Sequence, residues 1–260
     1  MKTLVCRGVS KVWQSSHGLE VEALRRIDLT VASGEFVAIL GPSGSGKSTL
    51  LELIAGLEER STGQILLDDT PVNASIPNVV MVFQEHSLFP WLTVEDNVAF
   101  GLKMKGVPSI ERAARVKAVL ERVRLARFAK HYPHQLSGGM KQRVALARAL
   151  VESPDLILMD EPFAALDFQT RVLMQRFLLE IWQEFKATIV FVTHHIDEAV
   201  MLADRVLVMS SSPGRIIDEV AIDLPRPRSA TAPAFNEYRV RLTEQLERQV
   251  TAGDEAMAAE

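Results

Sequence analysis

Gly41-Pro42-Ser43-Gly44-Ser45-Gly46-Lys47-Ser48, followed by Thr49, is a glycine-rich run that ends in a lysine and two hydroxyl residues. The spacing fits G-x-x-x-x-G-K-[ST], a loop that wraps a nucleotide phosphate. Glycines let successive backbone N–H groups turn inward around a β-phosphate, and the N-terminus of a following helix adds positive potential. In such a loop Lys47 reaches the β and γ oxygens and the Ser48 hydroxyl ligates Mg²⁺. A second group closes the apolar run from Leu156 to Met159 with two acids, Asp160 and Glu161. At the carboxyl edge of a parallel sheet, Asp160 would hold Mg²⁺ through water and Glu161 would polarise an attacking water. Paired acids also end strands as plain solvated turns, and the phosphate loop in the same chain is what favours chemistry. A third run, Leu136-Ser137-Gly138-Gly139-Met140-Lys141-Gln142-Arg143, opens an Ala-rich stretch. It presents a second helix N-terminus with bare glycine backbone, hence a second anion site. One chain thus carries two halves of a phosphate clamp.

The elements that must hold these residues follow from periodicity. Glu35 to Leu40 is a compact apolar run bounded by Gly34 and Gly41, which predicts a buried strand entering the loop. Leu50, Leu51, Ile54 and Leu57 recur at helical spacing with Gly56 near the stop, so strand, loop and helix follow in order. Thr3 to Val12 alternates loosely and reads as an edge strand, and Gln64–Asp68 and Val79–Phe83 read as two more strands. From Val94 to Val151 the pattern is helical, broken at Gly106, Pro108 and Ser109 into at least two helices. Leu156–Met159 and Thr188–Val192 suit a central sheet, and a helix over Gln169–Lys186 supplies the crossover of a parallel βαβ unit. Pro225, Pro227 and Pro233 read as a linker, Phe235–Val250 as a surface helix, and the residues after Ala252 as frayed.

Composition bounds the rest. The chain has 260 residues, which suits one large domain or one domain with an inserted lobe. At 47% hydrophobic and 24% charged it is neither disordered nor collagen-like. Cys6 is the single cysteine, so an internal disulfide is impossible and a reducing compartment such as the cytoplasm is the simplest home. A net charge of −4 lacks the Lys and Arg excess of a nucleic-acid binder, so no nucleic-acid partner is expected. Leu4 to Cys6 is too short an apolar run for a signal peptide, and no stretch reaches the roughly 18 apolar residues a membrane span needs. Work at a membrane would therefore require a partner.

The Leu136 run, together with the Gly41 loop and the Asp160-Glu161 pair in this order, resembles the ATP-binding subunits of ABC transporters. Their signature reads LSGGQ, and Met140 stands where Gln is commonest. The resemblance covers about residues 1 to 220. It implies an α/β fold, a P-loop NTPase (RecA-like) core with a mixed sheet, an N-terminal antiparallel β region and an inserted α-helical lobe. A single ABC ATPase domain over 1–260 would then divide into a nucleotide-binding core at 1–87 and 156–222, a helical lobe with the signature at 88–155, and a C-terminal linker and helix at 223–260.

The resemblance also implies ATP hydrolysis with ATP and Mg²⁺ as cofactors, by a homodimer closed by ATP. Each nucleotide would lie between the phosphate loop of one subunit, Gly41 to Thr49, and Ser137, Gly138 and Gly139 of the other. Gln84 in Val82-Phe83-Gln84-Glu85 resembles the glutamine that approaches Mg²⁺, which gives Ser48, Gln84 and Asp160 as the metal set. Asp167 in Ala164-Ala165-Leu166-Asp167 resembles the D-loop, and Trp13 resembles the aromatic residue that stacks on adenine. His194, after Val192 and Thr193, resembles the switch histidine that contacts the γ-phosphate, which makes Glu161, His194, Lys47 and Gln84 the catalytic set. His195 departs from the family, where Asp is usual, and is read as a harmless surface change.

Within the family, Ser87 to Val94 with Asn97 to Leu102, and Ser212 to Ile216, look most like the nitrate, sulfonate and taurine importers. This implies a peripheral subunit on the cytoplasmic face of the inner membrane. It would energise uptake of a small solute through two integral membrane permease subunits served by a solute-binding protein. Phe89 and Trp91 lie where such permeases insert a coupling helix. About 40 residues follow Asp218, too few for the regulatory β domain of sugar-importer relatives. Export or lipid trafficking is the runner-up. A soluble DNA-repair relative would carry a coiled-coil insert, and a translation relative two ATP domains. A small-molecule kinase would not need the Leu136 run, and a non-catalytic module would lack Lys47, Asp160 or Glu161.

Overall fold

Phe36-Val37-Ala38-Ile39-Leu40 is buried at every position, and its residues divide between two apolar clusters. Val37 and Ile39 face one, while Phe36, Ala38 and Leu40 face the other. A strand covered on both faces reads as a continuous apolar run, and it belongs at the centre of a parallel sheet. The structure, a computed structural model, describes residues 2–14, 20–74, 76, 78–85 and 87–258, with side chains as far as Gln249.

The chain starts with two long antiparallel strands, β1 (Leu4–Gln14) and β2 (Glu20–Val31), before the buried β3 (Phe36–Leu40). Helix α1 (Lys47–Ala55) follows the glycine-rich loop, and then come β4 (Thr62–Leu67), β5 (Thr70–Pro71) and β6 (Val79–Val82). Helices α2 (Val94–Met104), α3 (Ser109–Arg122) and α4 (Gly138–Leu150) pack on one another. The chain returns through β7 (Leu156–Asp160), α5 (Phe168–Phe185), β8 (Thr188–Thr193), α6 (Ile196–Leu202), β9 (Arg205–Met209), β10 (Ile216–Ala221) and α7 (Pro233–Ala258).

A four-stranded sheet runs β2-β1-β4-β5 and a six-stranded sheet runs β10-β9-β3-β8-β7-β6. Five strands of the larger sheet are parallel, and β10 joins its edge antiparallel to β9. The apolar residues of α1, Leu50, Leu51, Leu53 and Ile54, share a cluster with residues of both sheets, so this helix fills the space between them. The opposite face of the parallel sheet carries the second cluster, with the buried residues of α2 to α7.

Three expectations are corrected. The Thr3–Val12 segment is not an edge: β1 pairs with β2 on one side and β4 on the other. Its neighbour β2 escapes sequence reading because its buried residues, Leu24, Ile27, Leu29 and Val31, slip out of period at a register shift, and Arg26 there takes a φ of 48°. The proline-bearing stretch is not a free linker. Arg226 pairs with Asp204 at 2.6 Å and lies over the Trp182 ring, and Arg228 donates to the carbonyls of Val200, Ala203, Ile222 and Leu224. Burial pushes the Arg228 guanidinium down to about 10, with Arg226 adding to the effect. Finally, α7 is no mere surface helix, since Phe235 and Leu242 are fully buried, and it continues to Ala258.

One buried amide organises the loop ahead of α2. Asn97 is fully buried, accepts from the Phe89 N–H at 2.8 Å and donates to the carbonyls of Phe89, Leu92 and Thr93. Asn97→Ala leaves those groups without partners and is expected to cost about 2–4 kcal/mol of unfolding free energy. Chemical denaturation measures this, and an unchanged midpoint would show that the amide does not hold the loop.

Candidate functional site

Parallel registry brings four strand ends to one edge of the sheet. Leu40 of β3 aligns with Thr193 of β8, Asp160 of β7 aligns with Val192, and Val82 of β6 aligns with Met159. The residues that continue past those ends are the Gly41 loop, His194, Glu161 and Gln84. Chain segments far apart in sequence thus supply side chains to one place, the edge where α/β sheets bind ligands.

The loop turns into α1 through Gly46, which takes a φ of 82°. A Cβ there would stand 2.7 Å from Leu24 Cδ2 and 2.8 Å from the Ala23 carbonyl, so both the conformation and the space require glycine. Lys47 is almost wholly buried; its Nζ donates to the Gly41 carbonyl at 2.9 Å and the Pro42 carbonyl at 2.7 Å. Burial holds its pKa below the usual lysine range, opposed by the charges of Glu161 and Asp160. The ammonium is thus kept in the loop and offers an incoming phosphate a cation with little competing water.

Ser48 Oγ donates to Asp160 Oδ1 at 3.1 Å. Burial pushes the Asp160 carboxyl above the usual range; the Ser48 hydrogen bond opposes this, while the Glu161 charge adds to it. A hydroxyl and a carboxylate held together are hard oxygen donors that fit Mg²⁺, whose remaining positions suit phosphate and water oxygens. When bound, such an ion neutralises phosphate charge.

Glu161 adopts a φ of 42°, a costly conformation for a non-glycine residue and one that clusters at functional sites. Its N–H donates to the Val192 carbonyl, and its Oε2 lies 2.8 Å from His194 Nδ1. The backbone turn and the imidazole together aim a carboxylate out of the sheet edge, as a water-activating base requires.

The other expected residues are structured differently. Asp167 caps α5 by accepting the Thr170 N–H at 3.0 Å, and that bond holds its carboxyl below the usual range. Ser137 caps α4 by accepting the Met140 N–H. Gly139 lets this helix start close against α5, since an added Cβ there would lie 2.7 Å from Thr170 Cγ2. The two glycine-led helix starts are separate: α1 within the core, and α4 with exposed Ser137 and Gly138. Trp13, part-exposed in β1, has Lys11 Nζ 4.0 Å from its ring centroid, and Gln84 is exposed just beyond β6. Trp91 is 71% exposed and leans on half-buried Phe89, whose ring also packs on Phe100.

One expectation fails here. His195 is no free surface residue: its ring lies 4.1 Å from that of His194 and its Nε2 is 3.5 Å from Arg171 Nη1. Burial holds its pKa below the usual value, with His194 and Arg171 contributing. Thr193 to Ala199 also looks like the nitrate, sulfonate and taurine importers in sequence, but the meeting of Thr193 and Glu198 with Arg171 escapes sequence reading, because it forms only across α5, β8 and α6.

Similarity to known proteins agrees with this geometry. Residues 24–164 match the family model described as ABC transporter. An uncharacterized ABC transporter ATP-binding protein of Methanocaldococcus jannaschii is 48% identical over 95% of this chain and 92% of its own length. The aliphatic sulfonates import ATP-binding protein SsuB of Bacillus cereus is 46% identical over 95% of this chain and 96% of its own. Among solved structures, a dimeric ATP-binding cassette in a post-hydrolysis state bound to ADP and Pi superposes with a TM-score of 0.74 at 34% identity, covering 85% of this chain and all of that one. With its phosphate loop, acidic strand end and second helix start on this fold, the chain belongs to the ATP-binding subunits of ABC transporters and is an ATPase.

Proposed function

We propose that this ABC transporter ATPase drives uptake of a small sulfonate-class solute, in the group that includes nitrate and taurine, through two integral membrane permease subunits served by a solute-binding protein. The likeness to an aliphatic sulfonates import protein over nearly the full length of both chains carries the solute class. The Glu161–His194 pair at the strand end beside the Lys47 loop carries the chemistry.

In this reading Gly41 to Thr49 wrap the phosphates and Trp13 stacks on adenine. Ser48, Gln84 and Asp160 hold Mg²⁺, which supplies charge neutralisation at the phosphates. Glu161 takes a proton from the attacking water while His194 fixes the carboxylate and meets the γ-phosphate. Ser137, Gly138 and Gly139 of a second copy, with its Asp167, complete each site, so ATP closes a homodimer. The exposed N-terminus of α4 supports this, because it leaves a second anion site open to solvent. The solved relative bound to ADP and Pi is likewise dimeric.

The core is assigned to 1–87 and 156–222, the helical lobe to 88–155, and the C-terminal linker and helix to 223–260. Phe89 and Trp91 form the permease contact, supported by the exposure of Trp91 and its packing on half-buried Phe89. The protein sits peripherally on the cytoplasmic face of the inner membrane. No helix among the described residues is long and apolar enough to cross a membrane, which agrees with attachment through partners.

Glu161→Gln should lower ATP turnover about 10²–10⁴-fold while retaining ATP affinity, the loss typical of removing a positioned base. Purified from its native cells with Mg-ATP, this variant should bring down membrane permease subunits, identified by mass spectrometry; only ribosomal or repair proteins would sink the transport assignment. Trp91→Asp should abolish permease capture and leave ATP affinity within about twofold of the parent. Permease capture retained by the Trp91→Asp variant would overturn this contact.

A further inference from the structure

Arg171, one turn into α5, meets two other segments at once, the Leu166 loop and the start of α6. Its Nη2 donates to the Leu166 carbonyl at 3.1 Å, just ahead of the Asp167 cap. Its Nη1 lies 3.5 Å from His195 Nε2, and its Nε lies 3.7 Å from Glu198 Oε1 on α6. Neither of those last two atoms completes a hydrogen bond of normal geometry, although both are buried. Glu198 is 3% exposed, and its other oxygen accepts from Thr193 Oγ1 at 2.7 Å. Thr193 Oγ1 in turn accepts the His195 N–H at 3.0 Å. His194 lies between these two anchored residues, ring against ring with His195 and 2.8 Å from Glu161.

We propose that Arg171 is a positioning residue for ATP hydrolysis, a single guanidinium that couples the Leu166-Asp167 backbone to the His194–Glu161 pair. This rests on the roles given above to His194 and Glu161. A guanidinium is a planar fork, so contacts to several acceptors move as one rigid unit. A buried carboxylate needs a charged partner, and burial pushes the Glu198 carboxyl above the usual range while Arg171 opposes it. A displacement of Leu166, whose neighbour Asp167 belongs to the face assigned to the second subunit, therefore pulls on Glu198 and His195. Thr193 passes it to the backbone that carries His194.

The test is a double-mutant cycle on steady-state turnover of the full chain, with ATP affinity and melting temperature measured for every variant. Arg171→Gln alone should lower kcat about tenfold with KM for ATP within about twofold. In a His194→Ala background, the same substitution should change kcat by less than about twofold, because the route it acts through is already gone. Glu198→Gln, which keeps the Thr193 contact and removes the charge, should show the same epistasis and replaces Arg171→Gln should that variant fail to fold. A full tenfold loss in both backgrounds would overturn the coupling and leave the ATPase reading intact. Wild-type turnover in His194→Ala alone would overturn the role of His194, and the coupling with it.

Discussion

Everything at the site depends on parallel alignment of β3, β8, β7 and β6, with both faces of the central strands sealed from water. Apolar burial is non-directional and cannot by itself place a lysine near a carboxylate. Backbone hydrogen bonding in fixed register can, because it makes strand ends coincide whatever the sequence distance between them. The Gly41 loop, the Asp160-Glu161 pair and His194 leave the sheet within a narrow strip for that reason. Their side chains then need only local devices: a left-handed Gly46, a left-handed Glu161, and a hydroxyl on a carboxylate.

The same constraint leaves the two glycine-led helix starts apart. The sheet supplies the Gly41 loop and α1, whereas the second helix start lies at α4, against α5. The pairing of copies proposed above would bring a second α4 start to each Gly41 loop. Arg171 stands between the parts of the molecule that such association would move and the parts that do chemistry.

What the sequence reveals and what it hides follow a physical line. Phosphate binding needs fixed residue types at fixed spacing on one short segment, so Gly41 to Ser48 is legible alone, and β3, β7 and β8 are legible as fully apolar runs. Strand β2 is hidden because a register shift breaks its period of two and charged residues interrupt it. The short strands β9 and β10 carry no chemistry-bearing residues at their ends and take their places in the sheet from pairing with β3 and with each other. The Arg226 and Arg228 straps read as polar linker because their acceptors between Val200 and Asp204, the Asp204 carboxylate and the backbone carbonyls of Val200, Leu202 and Ala203, lie more than 20 residues away in sequence. His195 looks like a surface substitution for a similar reason: its neighbours come from α5 and β8.

The claim that two chains build each catalytic site is tested most directly by ATP turnover per chain across a range of chain concentrations with saturating Mg-ATP, alongside sedimentation at each concentration. The account predicts that turnover per chain falls as the protein is diluted into its monomeric range. Constant turnover per chain in samples that sediment as monomers would contradict it.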